Sequence, residues 1–242
     1  MGKPVFKRIV LKLSGEVLAG ELVCGIDGQT IERIATQIRG VREIGVEVAV
    51  VIGGGNIFRG TLGGSPGVDR ITGDCMGMLA TIINALALQS CLEAQDVPSR
   101  VLSAIPVEGV AEPFVQRRAV DYLEKGRAVI FAGGTGHPYF TTDTAAALRA
   151  LEIGAEAILK GTKVDGVYSA DPFRDPQATQ YERLSFMDVL EKGLRVVDTT
   201  AASLCMDNNL PLVVFNIQRQ DALKRIILGE PLGTVVKGER HD

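Results

Sequence analysis

Repeatedly along this chain, an apolar run of strand length ends in a polar, glycine-bearing loop and gives way to a helical pattern. Lys7-Arg8-Ile9-Val10-Leu11-Lys12-Leu13 is the first such run, and residues 46–52, 100–103, 128–132 and 157–160 follow it. The runs are continuously apolar rather than alternating, the mark of strands buried on both faces. Helical spacing follows at Ile31, Ile34, Ala35, Ile38 and Val41, and further helices are predicted over residues 75–94, 113–125 and 143–152. Strands that alternate with helices imply an α/β fold, a mostly parallel central sheet sandwiched by helices. In such sheets ligands bind beyond the carboxyl ends of the strands, where these glycine loops fall.

The pattern changes after Gly161. Asp165-Gly166, Asp171-Pro172 and Asp175-Pro176 are turn chemistry. Helices are then expected at 185–192, 199–208 and 221–228, with strands at 212–216 and 233–236. With no linker or repeat in view, the whole of 1–242 reads as one compact domain. It has two lobes, about 1–160 and 161–242.

Composition narrows the function. A net charge of −3 over 242 residues argues against nucleic acid as partner. The apolar runs look strand-sized and the start lacks a signal core, so no membrane is expected and the cytoplasm is the expected location. Cys24, Cys75, Cys91 and Cys205 lack metal-ligand spacing and are expected to be buried free thiols. With only His137 and His241, neither a triad nor a histidine metal site is expected.

Three loops carry chemistry. Lys12 closes an apolar strand ahead of Leu13-Ser14-Gly15. A charge there needs a partner, which a phosphate would supply, or it is a solvated strand end. Gly53-Gly54-Gly55-Asn56 runs on to Phe58-Arg59-Gly60, offering amide donors and a planar guanidinium to an anion, more than a turn requires. Gly133-Gly134-Thr135-Gly136-His137-Pro138-Tyr139-Phe140-Thr141-Thr142-Asp143 brings hydroxyls and a carboxylate to a helix start, where Asp143 also reads as an N-cap. No P-loop, protein-kinase or dinucleotide fingerprint is present.

Together with Asp74-Cys75-Met76-Gly77-Met78-Leu79-Ala80-Thr81 and Lys160-Gly161-Thr162-Lys163-Val164-Asp165-Gly166-Val167-Tyr168, these loops resemble the amino acid kinase family. Within it they are most similar to its bacterial uridylate kinases, over about residues 7–236. The resemblance implies phosphoryl transfer from ATP to UMP, without a general base, on the way to UDP and CTP. It places Lys12, Leu13, Ser14, Gly15, Gly55, Arg59, Thr162, Tyr168 and Asp171 on ATP. It places Gly54, Asp74 (on the ribose hydroxyls), Thr135, Gly136, His137, Pro138, Tyr139, Phe140, Thr141 and Thr142 on UMP.

Lys12 and Arg59 would then be catalytic. Asp143 and Asp198 would orient Lys12 or metal waters, or merely cap helices. Mg²⁺ would come with ATP and no protein metal site is expected. UTP is expected to inhibit, GTP to activate through Gly20, Glu21, Leu22, Val23, Cys24 and Gly25, and the assembly to be a homo-oligomer, a hexamer in this family. Arg100 and Arg127 are candidates for an effector phosphate or plain surface residues. His137 stands where asparagine is usual, and Cys24 where an aromatic residue is. Two other readings stay open: a small-acid (carboxylate or carbamate) kinase of the same fold, and a non-catalytic nucleotide sensor.

Overall fold

The computed structural model describes residues 2–58, 67–194 and 196–238. In chain order the elements are β1 (Arg8–Leu13), α1 (Gly15–Leu18), α2 (Gly28–Arg42), β2 (Glu47–Ile52), α3 (Arg70–Glu93), β3 (Ser99–Ser103), β4 (Glu112–Pro113) and α4 (Gln116–Glu124). After them come β5 (Ala128–Ala132), α5 (Thr142–Glu152), β6 (Ala157–Thr162), β7 (Arg183–Leu184), α6 (Phe186–Glu191), α7 (Thr199–Asp207), β8 (Leu212–Asn216), α8 (Ala222–Ile227) and β9 (Thr234–Val236).

Among the described residues the strands form a single nine-stranded sheet, ordered β4-β3-β5-β2-β1-β6-β8-β9-β7. Its pairings are parallel except that of β8 with β9. The mostly parallel α/β sheet expected from the sequence is therefore present. The first strand is central: β2 lies on one side and β6 on the other. Loops leaving β1, β2 and β6 meet where the chain changes direction across the sheet, the position at which such folds bind ligands.

Strand pleating divides the interior into two layers. Ile9, Leu11 and Leu13 of β1 join Val48, Val50 and Ile52 of β2 under α2, α3 and α8. Val10 joins Ala49, Val51 and Val129 under α4, α5, α6 and α7. Both faces are covered, which is why the strands read as unbroken apolar runs.

Four expectations need correction. Helix α3 begins at Arg70, not near Cys75, and its N-cap is Asp69, whose side chain accepts from the Thr72 amide at 3.0 Å. The start of the predicted 113–125 helix is the edge strand β4, and α4 begins at Gln116; proline at an edge leaves no ladder bond unmade. Of the four free thiols only Cys205 is buried, while Cys24 and Cys75 are exposed. Apolar segments are not all strand-sized: α3 is long and apolar enough by length and composition to cross a bilayer, yet it packs one side against α2, β3 and β5.

Candidate active site

Lys12 follows Val10 on the sheet face covered by α5, in a position whose neighbours are otherwise apolar. Its register partner on β6 is Lys160. Two ammonium groups thus lie side by side in a poorly hydrated layer, and both need a counter-charge. Asp143, in the first turn of α5, supplies it. Lys12 Nζ lies 2.6 Å from Asp143 Oδ1, and Lys160 Nζ lies 2.8 Å from Oδ2. A further bond runs from Lys160 Nζ to the Val196 carbonyl at 2.5 Å.

The charge balance of this triad shows in its acidities. Burial raises the Asp143 carboxyl, but Lys12 and Lys160 outweigh it and hold the group below the ordinary aspartate value. Lys160 is lowered to about 8, first by burial and then by the charge of Lys12, with Asp143 opposing both. In direct contact two ammonium groups share one carboxylate, while Asp198 adds a further negative charge that acts on Lys160 from farther off.

Asp143 is not the cap of α5. That position belongs to Thr141, whose hydroxyl accepts from the Asp143 amide at 3.0 Å and the Thr144 amide at 3.4 Å. Asp198 does cap α7, accepting from the Ala201 amide at 3.0 Å. It also accepts from the hydroxyls of Thr141 and of Thr144, the latter at 2.8 Å, tying the two helix starts together beside the lysines.

Glycines let the loops after β1 and β2 approach one another. A side chain at Gly15 would run into the Gly55 amide at 2.7 Å, and one at Gly54 would meet the Gly77 carbonyl at 2.7 Å and Ala80 Cβ at 2.8 Å. The loop after β1, the loop after β2 and the first half of α3 are therefore in backbone contact, which only glycine permits. Arg59 and Gly60 lie outside the described residues.

Asp74 sits on α3, facing the loop after β5. Its Oδ2 accepts from the Tyr139 amide at 2.8 Å and from Arg70 Nε at 2.8 Å. Burial pushes its carboxyl up, but these two donors more than offset it and the net shift is downward. Tyr139 has φ 72°, in the left-handed region, and Arg70 stacks over its ring at 5.4 Å. Tyr139 and Phe140 are exposed. Thr135 turns its hydroxyl onto the His137 backbone, bonding its amide and carbonyl at 3.2 Å each. Thr81 holds the loop from beneath, accepting from the Gly133 amide at 2.8 Å.

On the other side of Lys160 lies a cavity of about 520 Å³, whose walls include Thr162, Tyr168 and Asp171 together with Lys192, Leu194 and Val196. The Thr162 hydroxyl is turned inward, to the Val164 and Phe215 carbonyls at 2.7 and 3.2 Å, so it is the position of Thr162 that shapes this wall. Asp171 Oδ1 accepts from the Phe173 amide at 3.0 Å, closing a turn at the cavity mouth.

Residues 20–25 lie near this site. Lys163 Nζ donates to the Gly20 carbonyl at 2.7 Å, and the Gly25 amide donates to the Asn56 carbonyl at 2.8 Å. Arg100 and Arg127 are elsewhere, at the amino ends of β3 and β5; Arg100 faces Glu112 at 3.6 Å and Arg127 stacks on Tyr122 at 5.3 Å.

The sequence pattern assigns Lys160 no role, although it interrupts an apolar strand just as Lys12 does. It misses Thr144 and Arg70, which carry no local signal. It also gives no role to Asn84, a carboxamide set in the apolar run Ile82-Ile83-Asn84-Ala85-Leu86.

The amino acid kinase family profile matches residues 7–216 of this chain. Among solved structures, a UMP kinase from Bacillus anthracis superposes with TM-score 0.92 at 41% identity, covering 96% of both chains. A UMP kinase from Ureaplasma parvum gives TM-score 0.89 at 40% identity, over 96% of this chain and 98% of that one. The uridylate kinase from Archaeoglobus fulgidus gives 0.73 at 30% identity, over 94% and 99%.

Proposed function

The chain belongs to the amino acid kinase family, and from that premise we propose that it is a UMP kinase, moving the γ-phosphoryl group of ATP onto UMP to give ADP and UDP. The observation that carries the proposal is the Lys12–Asp143–Lys160 cluster at the carboxyl end of the central strand. It stands between the Asp74–Tyr139 side and the cavity walled by Thr162, Tyr168 and Asp171. Similarity to UMP kinases over nearly the whole chain supports the same reading.

The UMP phosphate is already an oxyanion near neutral pH, so an oxygen of it attacks the γ-phosphorus directly while the bond to the bridging oxygen of ADP breaks. No base is required, and catalysis consists of positioning and charge neutralisation. Lys12 and Lys160 face the transferred group, and Asp143 holds them at fixed spacing. Asp198, through Thr141 and Thr144, fixes the start of α5 that carries Asp143. Leu13, Ser14 and Gly15, with the Gly54 and Gly55 amides and Arg59, bring the two phosphates together. Asp74 receives the UMP ribose, with Thr135, Gly136, His137, Pro138, Tyr139, Phe140, Thr141 and Thr142 lining the acceptor side. The adenosine end of ATP enters the cavity of the 161–242 lobe, and residues 1–160 form the acceptor lobe.

Magnesium fits this site as a companion of ATP. Both Asp143 oxygens face lysines and Asp198 is held by threonines, and among the described residues no cluster of three metal-ligating side chains occurs. The ion would sit on ATP phosphates with its own waters and offset their charge.

The same reading extends to a cytoplasmic homohexamer in pyrimidine nucleotide synthesis, inhibited by UTP, which carries the same base and ribose, and activated by GTP. A coupled ADP-release assay across UMP, CMP, dUMP, glutamate and carbamate tests the acceptor. Turnover with UMP is expected. Turnover with glutamate or carbamate alone would make it a small-acid kinase, and none with any acceptor a binding protein.

A further inference from the structure

Asn84 is fully buried in the apolar middle of α3. A carboxamide placed there costs free energy unless its donors and acceptor are used. Its Nδ2 donates to the Gly53 carbonyl at 2.8 Å and to Asn56 Oδ1 at 2.7 Å. Asn56, only 3% exposed, donates back from Nδ2 to Asn84 Oδ1 at 3.0 Å. Its second donor goes to the Gly25 carbonyl at 2.8 Å. The two carboxamides therefore form a closed reciprocal pair in which all four N–H groups are used.

An apolar contact of the same volume would bury as much surface without this polar cost. What the pair adds is direction. The Gly53 carbonyl is pinned toward α3, and because its peptide is planar and trans, the Gly54 N–H must point the opposite way. Asn56 closes the same loop from its far end. On the sheet side the Gly53 amide donates to the Leu13 carbonyl at 2.9 Å, one residue past Lys12. The glycine loop is thus fixed on the strand that carries Lys12 and on the helix that carries Asp74.

We propose that Asn56 and Asn84 are positioning residues for phosphoryl transfer: their mutual pairing, with the Asn84 bond to the Gly53 carbonyl, sets the orientation of the Gly54 amide relative to Lys12. This rests on the reading of that loop as the phosphate cradle. Such an interaction belongs to the transition state more than to substrate binding, so its loss falls on kcat rather than on KM.

The test is steady-state kinetics of the full-length Asn84→Ala and Asn56→Ser enzymes, with folded fraction measured by circular dichroism and thermal melting. Wild-type enzyme is run first with ATP and UMP. A wild type without UMP-dependent ADP release overturns the UMP reading, and the pair is then judged with whichever acceptor supports turnover. The expected result is a kcat per folded enzyme reduced roughly 10- to 100-fold, as for other small misplacements of reacting groups, with both KM values within about threefold of wild type. If Asn84→Ala does not fold, Asn56→Ser breaks the same pair from the loop side and decides alone. A kcat within twofold of wild type in a folded variant overturns the proposal. So does a loss accounted for by the unfolded fraction, or one confined to KM.

Discussion

Lys12 and Lys160 are direct register partners on β1 and β6, and their ammonium groups reach opposite oxygens of one carboxylate, Asp143. Removing different members of this group should have different consequences. Lys12→Met leaves Asp143 paired with Lys160, so the fold should persist while kcat falls by about 10²–10³, the usual worth of one preorganised donor. Asp143→Ala leaves two buried ammonium groups side by side with no carboxylate in direct contact, Asp198 acting only from farther off. Breaking a buried pair in this way costs about 3–5 kcal/mol, so this variant should also melt at a markedly lower temperature. Equal melting temperatures for the two variants would contradict this assignment of roles.

Lys160 gives a pH signature of its own. Its folded-state value of about 8 lies below the ordinary lysine value of 10.5. Below pH 8 it is charged in both folded and unfolded states, and the full penalty of burying that charge is present. Between the two values the unfolded chain binds more protons, so stability should rise with pH by up to about 1.4 kcal/mol per pH unit. Activity should move in the opposite direction: kcat/KM, which reports the free enzyme, should decline above pH 8 as the site loses a positive charge. Lys160→Met should remove the stability rise. Urea midpoints with the same pH slope for both proteins would show that this lysine is not the titrating group.

The central strands, their order of appearance and the glycine loops were legible in the sequence because burial on both faces leaves long apolar runs. Lys12 was legible for the same reason, as a charge that such a run cannot carry without a partner. For Asp143 the resemblance offered two roles, orienting Lys12 or capping a helix, and the choice turns on which of Thr141, Thr142 and Asp143 begins that helix, a difference of one residue that only the backbone decides. The pairing of Lys12 with Lys160 depends on the register of two strands whose partners stand 148 positions apart in the sequence. Similarly, Asp69 and Asp74 are both acidic residues ahead of an apolar run, and spacing alone cannot say which one caps the helix that carries it.

That distinction is open to test. Asp69 is the cap, accepting from the Thr72 amide. Asp69→Ala should lower the melting temperature slightly and leave kinetics alone. Asp69→Asn should do neither, since asparagine caps about as well as aspartate. A change in KM for UMP with Asp69→Asn would give this residue a part in the site that its geometry does not suggest.

Asp74 lies inside α3 rather than at its cap, and it should govern the acceptor sugar. If its carboxylate accepts from the UMP ribose hydroxyls, UMP should be preferred over dUMP. Loss of a hydrogen bond to a charged group costs about 1.5–3 kcal/mol. That is roughly 10- to 150-fold in kcat/KM, at about 1.4 kcal/mol per factor of ten. The competing role is architectural: Asp74 bonds the Tyr139 amide and Arg70, holding a residue in the left-handed region. Asp74→Asn separates the two. Its amide oxygen can still accept from the Tyr139 amide, but it is uncharged and binds the ribose more weakly. On the ribose reading this variant loses kcat/KM with UMP much more than with dUMP, and the preference shrinks. On the architectural reading both acceptors fall together. Measuring kcat/KM for both acceptors with both proteins closes a double cycle. A coupling within error of zero would confine Asp74 to the support of Tyr139 and Arg70.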